Sequence, residues 1–385
     1  MNTCYVYKSL NKYYFNMISA ETKVLTIIHD YDFSFENYAS QIENEFTKCY
    51  TFFSDTFAIY KWTFASNLKV FELPRSRFCS KLLNLLNIIF IISTFTIFLI
   101  VKYKPNIVIV NTNILPIILK PFALFYNIKI VYISSDWFYV EEINSLKNLV
   151  LNKYAFNILD YFCCKSSYLI LNYSNRIILQ RCKFWGRQIN VNQKIYPIFL
   201  SEKIKKVSTN RKNIAFFGNI RDDSGLELIL DLLGELSLTI DGLTLVVVGT
   251  VNDHALQLSK HYGYLIESGQ LIFKGYLHRS QFSDILSSCF LGLNLINSQF
   301  NYTQFTIPGK IFDYLQHGVP PLISLNVGEI CNKVKSHELG HITDLSRDDL
   351  KLKVLTLYEN QSFFIDNIHR YIHNSRSISF KDLLE

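Results

Sequence analysis

The chain has 385 residues, long for a single core, and its 49% hydrophobic content is enough to build two. A charged share of 18% excludes a disordered chain. The net charge of +7 is modest and spread out, with no Lys/Arg block interleaved with aromatics. That excludes nucleic acid as the expected partner and suits a phosphorylated substrate or an anionic membrane surface.

The eight cysteines form no CxxC pair, and Cys163 and Cys164 are adjacent in an apolar stretch. Such scattered thiols read as reduced core residues rather than a disulfide framework or a zinc cluster. The start of the chain, Met1 to Tyr5, has no basic residue leading into an apolar run, so the expected location is cytoplasmic.

In chain order, residues 23–28 read as a strand and 35–46 as a helix. The run 80–101 follows, with LLNLLNIIFIISTFTIFLIV from Leu82 to Val101 uncharged and bracketed by Arg75, Arg77, Lys81, Lys102 and Lys104. Its length permits a membrane span, but Asn84, Asn87, Ser93, Thr94 and Thr96 interrupt it and a strand lies on either side. A buried crossover helix, or one lying peripherally on the inner face of the plasma membrane, fits better. Strands are expected at 106–110, 127–133 and 167–171, with helices at 115–125, 146–164 and 174–182. The periodicity weakens over 196–209, which reads as an interdomain connection. A second series follows, with strands at 213–217, 243–248, 270–273, 290–295 and 321–324. Helices are expected between them at 224–236, 253–262, 279–287 and 308–317, then over 347–373. Two β/α series joined end to end predict an α/β chain of two doubly wound, Rossmann-like domains facing a cleft, 1–200 and 201–385. The final helix is a candidate to pack back on the first domain.

Ligands of open α/β sheets bind beyond the carboxyl ends of strands, where loops meet helix starts. One such place is Gly218, Asn219 and Arg221, followed by Ser224 as a candidate helix cap. Gly218 lets a ligand approach the backbone, and the Arg221 guanidinium matches a diphosphate. The bland alternative is an ordinary turn with a solvated arginine. The other place is Thr306, Ile307, Pro308, Gly309, Lys310 and Asp313. Thr306 as N-cap and Pro308 in the first turn would leave N–H groups facing the cleft, with Lys310 adding a cation. A well-capped surface helix with a Lys310–Asp313 pair is the alternative.

The second stretch resembles the P-x-K-x-F-E-Y-x-x-x-G-x-P signature of family-4-type GT-B glycosyltransferases, through Pro308, Lys310, Phe312, Asp313, Tyr314, Gly318 and Pro320. Gly218, Gly225 and Leu226 resemble the opening of that family's second domain, and LVVVG at 245–249 and Phe273-Lys274-Gly275 resemble later steps. The resemblance implies the GT-B fold, with a nucleotide-sugar donor bound by the second domain and a glycan or lipid-linked acceptor by the first. It implies a retaining hexosyl transfer, of the kind used in bacterial surface polysaccharide, lipopolysaccharide or capsule synthesis. Arg221 and Lys310 would stabilise the leaving diphosphate without a metal ion or other cofactor, and Asp313 would hold the ribose. The sequence departs from the family at Phe305, where a Glu is usual, and at Asp223 and Ser224, where a Lys is usual. His29-Asp30-Tyr31-Asp32 replaces a glycine-rich loop. These departures leave room for a sugar-nucleotide epimerase or a non-catalytic carbohydrate-binding descendant.

Among carboxylates at strand ends, Asp136 is the preferred acceptor-side catalytic residue, and capping a helix is its alternative. His337-Glu338-Leu339-Gly340-His341 spells HExxH, but Gly340 inside the would-be helix argues against a zinc site.

Overall fold

Runs of β-branched and apolar residues form two separate sheets in this computed structural model. It describes residues 22–29, 45–46, 48–54, 58–62, 68–72, 92–134, 156–185, 192–195, 210–277, 281–297, 307–325, 327–374 and 380–384. The first half contains β1 (Lys23–His29), β2 (Lys48–Ser54), β3 (Ala58–Trp62), β4 (Leu68–Glu72), α1 (Ser93–Tyr103), β5 (Ile107–Val110) and α2 (Leu115–Tyr126). It continues through β6 (Lys129–Ser134), α3 (Phe156–Ser166), β7 (Leu169–Asn172), α4 (Asn175–Trp185) and β8 (Asn192–Ile195). These strands make an 8-stranded sheet in the order β4-β3-β2-β1-β5-β6-β7-β8.

The sequence predicts a parallel sheet here, and the structure corrects it. β2–β3 and β3–β4 pair antiparallel, and the rest of the sheet is parallel. Strands β2, β3, β4 and β8 have no counterpart in the sequence reading. Their residues mix lysine, tyrosine and small polar groups and lack the continuous apolar run of a strand covered on both faces.

The second half contains β9 (Asn213–Phe217), α5 (Leu226–Ser237), β10 (Thr244–Val248), α6 (Asp253–His261), α7 (Gly263–Glu267), β11 (Leu271–Gly275) and α8 (Phe282–Leu286). Then come β12 (Cys289–Asn294), α9 (Gly309–Gln316), β13 (Pro321–Ser324), α10 (Gly328–Ser336), β14 (His341–Thr343), α11 (Arg347–Glu359), α12 (Gln361–Asn374) and α13 (Phe380–Leu384). All pairings are parallel, in the order β11-β10-β9-β12-β13-β14. The chain winds one way from β9 to β11 and the other way from β12 to β14, so the switch point lies between β9 and β12. Strands such as TLVVV and NIAFF are buried on both faces, as a parallel sheet covered by helices requires.

α1 covers 93–101 of the apolar run, and 82–91 lie outside the described residues. Leu99 and Ile100 are in the core with Leu115, Leu119 and Ala123 of α2 and with Cys163 and Cys164 of α3. Among the described residues, no helix is long and apolar enough to cross a membrane. Burial pushes the thiols of Cys164 and Cys289 up to about 12, which keeps them protonated and unreactive. α13 touches the first half: the Lys381 backbone N–H donates to Glu45 at 2.7 Å, and Lys194 donates to the Asp382 carbonyl at 3.4 Å.

Candidate functional site

The carboxyl end of β9 runs directly into Gly218, which has φ 121°, a conformation that side chains rarely adopt. A Cβ there would lie 3.9 Å from Lys310 Cδ, so the bare backbone lines the space that Lys310 enters. The turn is held from behind by Gly249 at the end of β10, whose added Cβ would lie 2.1 Å from the Gly218 carbonyl oxygen. Gly218 and Asn219 are exposed.

Two cations converge beside this turn. Lys310, in the first turn of α9, places Nζ 4.8 Å from the centre of the Phe216 ring. Its ammonium is lowered to about 8, first by burial and then by the nearby Arg221 guanidinium, with Asp223 opposing. Arg221 is half exposed and held in a fork by Asp223, with Nε 2.9 Å from one carboxylate oxygen and an Nη 3.3 Å from the other. The site thus combines two like charges with one carboxylate, an arrangement that favours an incoming anion.

α9 supplies the third component. It begins at Gly309, with Pro308 in extended conformation as its cap and no side-chain capping bond. This corrects the expectation that Pro308 stands in the first turn, and Thr306 lies outside the described residues. The leading N–H groups of a helix lack intrahelical partners, and Gly309 is exposed at this end. Ile307 is buried. Asp313, one turn on from Lys310, is buried, and its backbone carbonyl accepts from His317 Nδ1 at 2.8 Å. Ser224 is likewise corrected: α5 is capped by Gly225, at φ 65°, and Ser224 Oγ is buried without a hydrogen-bond partner among the described residues. Gly225 is required because a Cβ would lie 2.5 Å from the Leu295 carbonyl oxygen.

The sequence places Tyr314 in the family signature, but its role in the site, and Asn294 altogether, escape sequence reasoning. Tyr314 lies against Gly292 of β12, where a Cβ would meet its ring at 2.4 Å. Its hydroxyl accepts from the Phe217 N–H at 3.0 Å and donates to the Leu293 carbonyl at 3.1 Å, bridging β9 and β12 at the switch point. Asn294 ends β12, is fully buried, and both polar atoms of its amide lack partners among the described residues. The available signals were a glycine inside an apolar strand and a polar residue at its end. Below the site, the buried Arg211 guanidinium donates to the carbonyls of Cys289, His317 and Gly318 and so fixes the far end of α9.

Asp136 lies outside the described residues, so the acceptor side rests on sequence alone. The HExxH pattern does not form one helical face. His337 caps α10, Glu338 has φ 50°, and His341 is in β14 with its ring 5.2 Å from Phe364.

No protein-family model and no curated protein sequence matches the chain. Solved structures match across its length. HepE of Anabaena in complex with UDP is 12% identical, with a TM-score of 0.61 over 94% of this chain and 96% of that one. Sucrose-phosphate synthase of Thermosynechococcus elongatus is 9% identical, with a TM-score of 0.68 over 94% and 97%. WaaG, described as a glycosyltransferase of lipopolysaccharide biosynthesis, is 12% identical, with a TM-score of 0.63 over 94% and 97%. The chain therefore has the GT-B fold that these proteins share, as the sequence resemblance implied.

Proposed function

We propose that this chain is a nucleotide-sugar-dependent glycosyltransferase whose donor diphosphate lies against Gly218, Asn219 and the start of α9. The observation that carries the reading is the convergence of Lys310 and Arg221 on an exposed glycine turn beside the switch point. The UDP bound by HepE, a protein of the same fold, supports a nucleoside diphosphate as the ligand class.

In this reading the anomeric carbon–oxygen bond breaks toward the diphosphate, and negative charge grows on the leaving group. Arg221 exchanges its Asp223 contact for the phosphate oxygens, while Lys310 and the α9 amides meet the remaining charge. These groups do the work that a divalent cation does elsewhere, so the proposal invokes no metal. Asp313 holds the ribose, Asp136 faces the acceptor, and transfer of a hexose proceeds with retention to a glycan or lipid-linked acceptor in surface polysaccharide synthesis. Thermal shift against a panel of nucleoside diphosphates tests the site. At least one should stabilise the protein, and Lys310→Ala and Arg221→Ala should each lose that shift. Undiminished binding in both variants would overturn the assignment.

A further inference from the structure

We propose that the free edge of β14 carries a groove that binds a linear, uncharged glycan and so holds an acceptor chain outside the reaction cleft. The proposal rests on the transferase reading for the acceptor class. The groove itself lies three strand spacings, about 14 Å, from the strand that ends in Gly218.

β14 is the last strand of the second sheet, so one side of its backbone has no neighbouring strand among the described residues. The Thr343 carbonyl points inward and accepts from the Leu325 N–H at 3.1 Å. Strand residues alternate, so Ile342 presents its N–H and carbonyl outward. Two hollows open along this edge, and Glu338 lines both. The larger, of 690 Å³, is lined by Arg176 of α4 in the first half, by Ile342 and His341, and by Phe363 of α12. The smaller, of 360 Å³, is lined by His337, Arg370, Tyr371 and Asn374. Both volumes are those of small-ligand sites. α4 follows the carboxyl end of β7, so the Arg176 end of the groove borders the cleft. The His337 end lies before β14 starts, away from the cleft.

The smaller hollow is held in shape from beneath. Asn367 is 5% exposed; its Nδ2 donates to the Glu338 carbonyl at 3.1 Å, and its Oδ1 accepts from the Arg370 guanidinium. Glu338 has φ 50°, a left-handed backbone that a side chain adopts only where its surroundings impose it. The His337 and Tyr371 rings, 4.9 Å apart and inclined at 51°, form a corner beside these groups. A pyranose has apolar C–H faces and a rim of hydroxyls that both donate and accept. The rings offer a surface to the faces, while Arg370, Asn374 and the Glu338 carboxylate supply donors and acceptors to the rim. Charge selects against anions. In the larger hollow Arg176, Lys335 and Lys353 are balanced by Glu338, Asp344 and Asp349. Asp349 lies 4.0 Å from Lys353, and Asp344 accepts from the Ser346 N–H at 2.8 Å. A polyanion therefore gains no net attraction there, in contrast to the site of Lys310 and Arg221. Two hollows that meet at one residue fit a chain of linked rings better than one compact molecule.

Isothermal calorimetry with maltohexaose, cellohexaose, laminarihexaose and chitohexaose tests the proposal, and without nucleotide its outcome is separate from that of the donor site. At least one should bind, about tenfold or more tightly than the disaccharide of its own linkage. Arg370→Ala/Asn374→Ala and Lys335→Ala/Phe363→Ala, one pair at each hollow, should each weaken that binding by about tenfold. All four residues are exposed, so both variants should retain the native melting temperature. Lys310→Ala should bind the same glycan as the native chain does. Failure of all four glycans to bind, tighter binding of heparin than of any neutral chain, or unaltered binding by either double variant would overturn the proposal. So would loss of glycan binding in Lys310→Ala, which would put the sugar chain at the donor site instead.

Discussion

At neutral pH the Lys310 ammonium stays charged although burial and Arg221 both work against it, and its pKa is lowered to about 8. Its ordinary value is higher, so between about 8 and the usual lysine range the unfolded chain binds more protons than the folded one. Raising pH through that window therefore relieves a penalty in the unliganded protein. A bound diphosphate reverses the preference, because the anion needs the charged form. Affinity for nucleoside diphosphate should accordingly fall by about tenfold per pH unit above 8, with proton uptake on binding visible by calorimetry in two buffers. Lys310→Arg, charged throughout, should flatten the profile. Asn294 offers a second test at this scale. Its amide is buried without partners among the described residues, a placement that costs stability. Asn294→Leu should raise stability by about 1–2 kcal/mol in denaturant unfolding while lowering transfer activity. A stabilised variant with full activity would make Asn294 merely a tolerated strain of packing.

Elements explain why some of this was legible in the chain and some was not. The second sheet could be read because runs such as TLVVV are apolar on both faces and end in glycine. Gly218, Arg221 and Lys310 could be read because a strand end and a helix start announce themselves locally. The role of Tyr314 could not, since its partner Phe217 lies 97 residues away. Nor could β2 to β4, where the sequence at 55–57 and 63–67 has no glycine or proline and the pairings are antiparallel. Asp136 and Thr306 fall outside the described residues, and the structure adds nothing to either. The packing of one element on another also yields a prediction. Gly249 at the end of β10 leaves room for the Gly218 carbonyl, which an added methyl would meet at 2.1 Å. Backbone cannot yield as a flexible side chain does, so Gly249→Ala should cost about 1–3 kcal/mol and displace the turn. Diphosphate affinity should fall with stability in that variant. Wild-type affinity would show that the turn is not where the ligand sits.

Across the molecule, no strand pairing joins the two sheets among the described residues, and side-chain contacts tie the halves together. Glu329, in the first turn of α10, accepts hydrogen bonds from Ser174 Oγ at 2.8 Å and from the Asn175 N–H at 2.6 Å. Those two residues open α4 in the first half, so a carboxylate from the second half meets the positive end of a helix it is not part of. Ser174 is fully buried and its hydroxyl also accepts from the Arg176 N–H at 3.1 Å, which leaves little freedom to replace the carboxylate with another local acceptor. Removing the carboxylate leaves a hydroxyl and an amide short of a partner, whereas an amide side chain keeps the acceptor and loses only the charge. Glu329→Ala should therefore lower stability by about 1–2 kcal/mol, and Glu329→Gln by less. Because the contact joins halves rather than building either one, the loss should separate their unfolding: a calorimetric trace of Glu329→Ala should broaden or split. It should also increase the radius of gyration in solution scattering, with the diphosphate-induced thermal shift of the second half preserved. An unchanged, single sharp transition in Glu329→Ala would mean that other contacts, such as those of α13 with Glu45 and Lys194, hold the halves together instead.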